Sequence, residues 1–175
     1  ISSKPFPSGR ASHCALGVLA DLPLDVAQVE KIEIHAPPLI HRLVGRPMHA
    51  AMTPAYARLC LPFLAALMLR DGRIDPRNFT PETFADPVLA EMASRIAVIV
   101  DDNPDANALS PQVVRAMLRQ GQVIERRVAA TLGSPDAPLN ETQAQAKSDL
   151  ARALAPADAD PRLFTNPLAY FTEPA

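Results

Sequence analysis

The sequence predicts a single α+β domain, α/β in the loose sense, in which a small, mostly antiparallel sheet carries helices packed on one face. Three observations lead there. From Val29 to Ala36 the pattern has a period of two, with Ile32, Ile34 and Ala36 on one face and Lys31, Glu33 and His35 on the other. Two further runs, Val114 to Arg119 and Gln122 to Ala130, meet at Gln120-Gly121 and form a hairpin signal. Apolar runs at helical spacing lie before and between them, punctuated by proline and glycine. A chain of 175 residues can bury one real core but is too short for two ordinary domains.

The first helix is read over Ser12 to Leu22, with Ala15, Leu16, Val18 and Leu19 at helical spacing, Ser12 as N-cap and Pro23 beyond the end. After the strand, Pro37 and Pro38 end the regular pattern, and the stretch through His41 and His49 supports only a helical turn and a loop. The next helix starts at Pro62, whose fixed φ suits a first turn, and runs through Leu69 to a Gly72 cap. Nearly all its faces are apolar, so it should occupy the centre of the core. Thr80 and Asp86 offer further N-caps, the second before a helix from Val88 to Ser94. Ile96 to Val100 is a continuous β-branched run that suits a covered strand, and Asp101 to Ser110 is a polar loop. Asn140 with Gln143 three residues later reads as a capping box opening a helix to about Leu154. The domain is therefore placed at residues 1–155, and the proline-rich 156–175 as a tail that is mobile or docks elsewhere.

Charge and cysteine usage narrow the function classes. A net charge of -2, from 17 basic and 19 acidic residues, creates no global field for nucleic acid or an anionic membrane. The richest apolar stretch, Leu59 to Leu69, is interrupted by Pro62 and is too short to span a bilayer, and no signal peptide is visible. The expectation is a soluble, cytoplasmic protein. Because the chain opens on Ile1 rather than Met, it reads as a piece of a longer one. Cys14 and Cys60 lack any paired spacing, which argues against a thiolate zinc site, an iron–sulfur cluster or a disulfide framework. Both read as buried thiols, and His41 and His49 have no partners for a metal site, so no metal and no cofactor is expected.

The chemistry concentrates at the start of the chain, in Lys4-Pro5-Phe6-Pro7-Ser8-Gly9-Arg10-Ala11-Ser12-His13. Three cationic or titratable groups precede or enter the first turn of a helix, where free N–H groups and the helix dipole favour anions. Lys4 and Arg10 would add charge, and His13 could carry a proton near neutral pH. The bland alternative is two solvated cations and an ordinary first-turn histidine. His35 reads as a solvated strand residue, and Asp101-Asp102 and Arg126-Arg127 as surface charges.

Lys-Pro-Phe-Pro followed by Ser-His and an apolar helix resembles the motif that opens the C-terminal domain of MmgE/PrpD proteins. The stretch Tyr56-Ala57-Arg58-Leu59-Cys60-Leu61-Pro62-Phe63, followed by Asp71, Gly72 and Phe79, is similar to that family's second motif. The strand before Asp101, the Gly121 hairpin and Pro138-Leu139-Asn140 then come in the family's order. The resemblance implies an active site in a cleft between this domain and a larger helical domain, largely N-terminal to it. It implies a metal-free lyase for citrate-like di- or tricarboxylic acids, most simply a 2-methylcitrate dehydratase-type hydro-lyase, with decarboxylation and epimerisation as the family's other reactions. Lys4 and His13 carry over as catalytic cleft residues. Arg10, Ser12 and Phe63 are the candidate substrate contacts, Phe63 standing where some members have a tyrosine. The implied partners are a small carboxylic acid, the helical domain and a second copy of the whole protein. A non-catalytic binding or assembly module of the same fold is the rival reading.

Overall fold

The computed structural model describes residues 2–172, and the chain falls into two compact units, Ile1–Pro138 and Leu139–Ala175. In the first, the period-two segment forms β1 (Val29–Ala36), and the β-branched run forms β2 (Ile96–Val100). The hairpin supplies β3 (Gln112–Leu118) and β4 (Val123–Val128). The sheet order is β2-β1-β3-β4. Both β1–β3 and β3–β4 are antiparallel, through pairs such as Ile34 with Val114 and Ala116 with Ile124. The β1–β2 pair is parallel, with Ile32 opposite Ile96 and Ile34 opposite Val98, so the sheet is mixed. A parallel pair needs a long crossover, and here residues 37–95 provide it. Edge position also revises the expectation for β2: rather than being covered, it is half-buried along most of its length and exposed at Val100.

One sheet face is dry. Ile32, Ile34, Val114 and Ala116 are fully buried there, with α1 (His13–Asp21) packed over β3 and α4 (Leu61–Asp71) over β2. The other face is polar: Lys31 Nζ donates to Glu33 at 2.8 Å, His35 Nε2 lies 3.1 Å from the same carboxylate, and Arg115 Nε donates to Glu125 at 2.6 Å. This accounts for the alternation along β1 and makes His35 half-buried and paired to Glu33. The helix α4 is the centre of the core, as its apolar faces require. Leu61 through Met68 are all buried, Pro62 sits in the first turn, and Gly72 closes the helix at φ 68°. Phe63 meets Phe79 and Phe84 edge-on, with centroids 6.1 and 5.5 Å apart.

Within the crossover lie α2 (Pro38–Val44), α3 (Pro54–Ala57), α5 (Pro81–Phe84) and α6 (Pro87–Ser94). Each opens on proline, and in three of them a side-chain oxygen caps the first turn. Thr53 accepts from Tyr56 N–H, Thr80 from Thr83 N–H, and Asp86 from both Val88 and Leu89 N–H. The loop after β2 is stitched internally: Asp101 accepts from Asn103 N–H, Asn103 from Asp105 N–H and Asp105 from Asn107 N–H. Those side chains are spent on their own backbone.

The second unit contains α7 (Glu141–Leu154), α8 (Arg162–Thr165) and α9 (Pro167–Thr172). The Asn140/Gln143 capping box is complete, with Asn140 Oδ1 accepting from Gln143 N–H at 2.8 Å and Gln143 Oε1 accepting from Asn140 N–H at 3.1 Å. The stretch read as a tail thus includes two short helices, with Leu168 and Phe171 strongly exposed. Its last three residues, 173–175, lie outside the described residues. Among the described residues no helix is long and apolar enough to cross a membrane.

Candidate functional site

The segment preceding α1 is a strap tied at two points. Ser3 N–H donates to the Gly133 carbonyl at 2.8 Å, and Gly9 N–H donates to the Arg58 carbonyl at 2.9 Å. Between these ties, Pro5 and Pro7 restrict the backbone, and the strap then enters a 3-10 turn, Arg10–Ser12, that leads directly into α1. The helix therefore begins with a tighter turn than its sequence suggests. Ser12 occupies the N-cap position but makes no side-chain cap. Its hydroxyl instead donates back to the Gly9 carbonyl at 2.7 Å and shares a 2.8 Å bond with Ser8 Oγ. Ser12 is fully buried, so its part is to hold the turn, and the expected cap is corrected to that role.

His13 is placed more deeply than its first-turn position implies. Its side chain is 0 % exposed, and neither Nδ1 nor Nε2 makes a hydrogen bond. Phe6 of the strap packs edge-on against the ring, with centroids 5.8 Å apart. Burial pushes the imidazole down from 6.5 to about 4. The nearby Ser8 carbonyl opposes that shift, while the charges of Lys4 and Arg10 add to it. His13 is consequently neutral at pH 7, with both nitrogens short of partners and two exposed cations in its electrostatic neighbourhood. A neutral imidazole with a nitrogen free to accept can take a proton, and Lys4 and Arg10 can hold anionic groups beside it.

The other expected residues sort differently. Phe63 is fully buried between Phe79 and Phe84, has no exposed surface for a ligand, and is a core residue here. Tyr56 donates its hydroxyl to the Pro47 carbonyl at 2.9 Å, beneath the Arg46 guanidinium and edge-on to His49. Both cysteines are free and buried. Cys14 Sγ lies 3.6 Å from Thr131 Oγ1, and Cys60 Sγ donates to the Arg46 carbonyl at 3.2 Å. Burial pushes the Cys60 thiol up to about 11. Among the described residues no three His, Cys, Asp or Glu side chains are grouped to hold a metal ion.

Two contributors escaped the sequence. Phe6 covers His13, and Gly133 anchors the strap from the far side of the chain. Leu132-Gly133-Ser134-Pro135-Asp136 carries a turn signal, but nothing in it announces a contact with Ser3. Compared with known proteins, residues 6–161 match the sequence profile described as the MmgE/PrpD C-terminal domain. No curated protein matches the chain.

Proposed function

Since the chain belongs to the MmgE/PrpD family, we propose that it forms one wall of the active site of a metal-free lyase for citrate-like di- or tricarboxylic acids, in the first instance a 2-methylcitrate dehydratase-type hydro-lyase. The observation that carries this reading is His13: a buried, neutral imidazole with no well-formed hydrogen bond and the Ser8 carbonyl nearby, at the start of a helix and electrostatically coupled to Lys4 and Arg10. A hydro-lyase must hold carboxylates, take a proton from the carbon beside one of them, and assist departure of hydroxide from the neighbouring carbon as water. Lys4 and Arg10 anchor carboxylates, and His13 takes the proton. Bound anionic charge offsets the two cations and raises the proton affinity of His13 when a base is needed. Substrate would reach the ring only with Phe6 displaced from its place against it. The group that protonates the leaving hydroxide comes from a larger helical domain of the full-length protein, which pairs as a cytoplasmic homodimer.

A second reading has a specific observation in its favour. The complete burial of His13 suits a structural histidine in a non-catalytic assembly module of the same fold. Kinetics on the full-length protein separate the two. The enzyme reading expects His13→Ala to lower kcat by about 10²-fold or more, and Lys4→Ala to raise KM more than it lowers kcat. It also expects no turnover from the 175-residue chain alone. Full activity in His13→Ala, or no activity of the full-length protein on any citrate-like acid, would favour the module.

A further inference from the structure

We infer that Gly133 is a positioning residue for Lys4: its missing side chain seats the strap and thereby sets where the Lys4 ammonium lies. The inference rests on reading Lys4 as the anchor of a substrate carboxylate.

Three glycines among the described residues have left-handed backbones, Gly72, Gly121 and Gly133, at φ 68°, 81° and 86°. The first two stand in open space, with nothing within 4 Å of where a Cβ would lie. At Gly133 a Cβ would lie 1.9 Å from the Ser3 carbonyl oxygen, 3.0 Å from its carbon and 3.3 Å from Pro5 Cδ. All three approaches involve the strap on either side of Lys4, and the shortest is to backbone, which cannot rotate away. The same glycine accepts the Ser3 N–H at 2.8 Å, and its own N–H donates to the Ala137 carbonyl at 2.7 Å. The anchor is therefore held by its own turn as well as by the strap.

The second tie differs in kind. A Cβ on Gly9 would meet Leu59 Cδ2 at 2.5 Å, the far end of a side chain that can turn aside. Gly133 is thus the less forgiving tie, and it is adjacent to Lys4, whereas Gly9 lies on the far side of Pro5 and Pro7. With proline on its C-terminal side, Lys4 is itself biased to extended backbone, so a displacement at Ser3 is carried to it rather than absorbed by local rotation.

The test uses the full-length protein and a citrate-like substrate. Gly133→Ala should raise KM about tenfold with kcat changed less than about twofold, the signature of lost uniform binding. Gly121→Ala imposes the same left-handed strain without the contact and should leave KM unchanged. Ser3→Pro removes the strap's N–H from the other side, keeps the test available should Gly133→Ala fail to fold, and should reproduce the KM rise. Combining Lys4→Ala with Gly133→Ala should give the KM of Lys4→Ala alone, since the glycine acts only through the lysine. An unchanged KM in Ser3→Pro and in any folded Gly133→Ala, while Lys4→Ala raises it, overturns this inference alone. Additive effects in the double variant overturn it as well. No KM response to Lys4→Ala itself removes the reading of Lys4 on which the inference stands.

Discussion

Replacing His13 by leucine should flatten the pH dependence of stability between pH 7 and pH 4. In the folded chain the imidazole titrates at about 4, against 6.5 when exposed. As pH falls, the unfolded chain takes up this proton first, so its contribution is complete above about pH 6.5 and is lost as pH falls towards 4. At about 1.4 kcal/mol per pH unit, the full loss is about 3 kcal/mol, of which about 2 kcal/mol has gone by pH 5. Between pH 7 and pH 5 the carboxylates whose pKa is lowered stay ionised in both folded and unfolded chains for the most part, and their effect cancels between the two proteins. Asp75, held at about 2 by the Arg77 guanidinium, titrates further down, and hydrogen bonding also lowers Glu33 and Glu82. Urea unfolding of the 175-residue chain at pH 7.0, 6.0 and 5.0, in wild type and His13→Leu, measures the effect directly. At pH 7 the leucine variant should be as stable as wild type or up to about 1–2 kcal/mol more so, because two buried nitrogens without partners are removed. Parallel curves for the two proteins from pH 7 to pH 5 would refute the reasoning and place His13 in contact with water.

Two further outcomes follow from the packing. Phe63→Ala opens a hole between Phe79 and Phe84 and should lower unfolding free energy by about 3–5 kcal/mol at pH 7, read from the urea midpoint. Cys14 and Cys60 should resist alkylation by iodoacetamide at pH 8 in the native chain and both react in urea. Each is buried, burial raises both thiol pKa values, and Cys60 is pushed up to about 11. Rapid native labelling of either would contradict the fold around it.

Elements whose signals are local were legible in the chain itself. The alternation in β1 states which face is dry, because one side reads Ile32-Ile34-Ala36 and the other pairs Lys31 and His35 to Glu33. The Asn140 capping box and the Gly72 stop likewise need only neighbouring residues. What stayed hidden depends on contacts distant in sequence. That β1 runs parallel to β2 is decided by how residues 37–95 pack, and the run Ile96–Val100 reads the same in an edge strand as in a central one. The site divides along the same line. Lys4, Arg10 and His13 are visible as a basic stretch before a helix, but the burial of His13 arises from Phe6 and from ties to Arg58 and Gly133. Phe63 shows the converse case, since a family motif marked the position while the core packing claims the side chain.

The Ser3–Gly133 link joins opposite ends of the first unit, so it closes a loop around almost all of that unit's chain. Fixing the strap's own residues costs conformational entropy, and one hydrogen bond with a few strap contacts offsets little of it. The hairpin and α4 can assemble beforehand, because their contacts lie nearby in sequence. The strap should then be the first piece to let go. Mild heat or low denaturant should detach it while the sheet remains intact, leaving a folded protein whose Lys4 has drifted from its place. Activity would then fail several degrees below the melting of the fold.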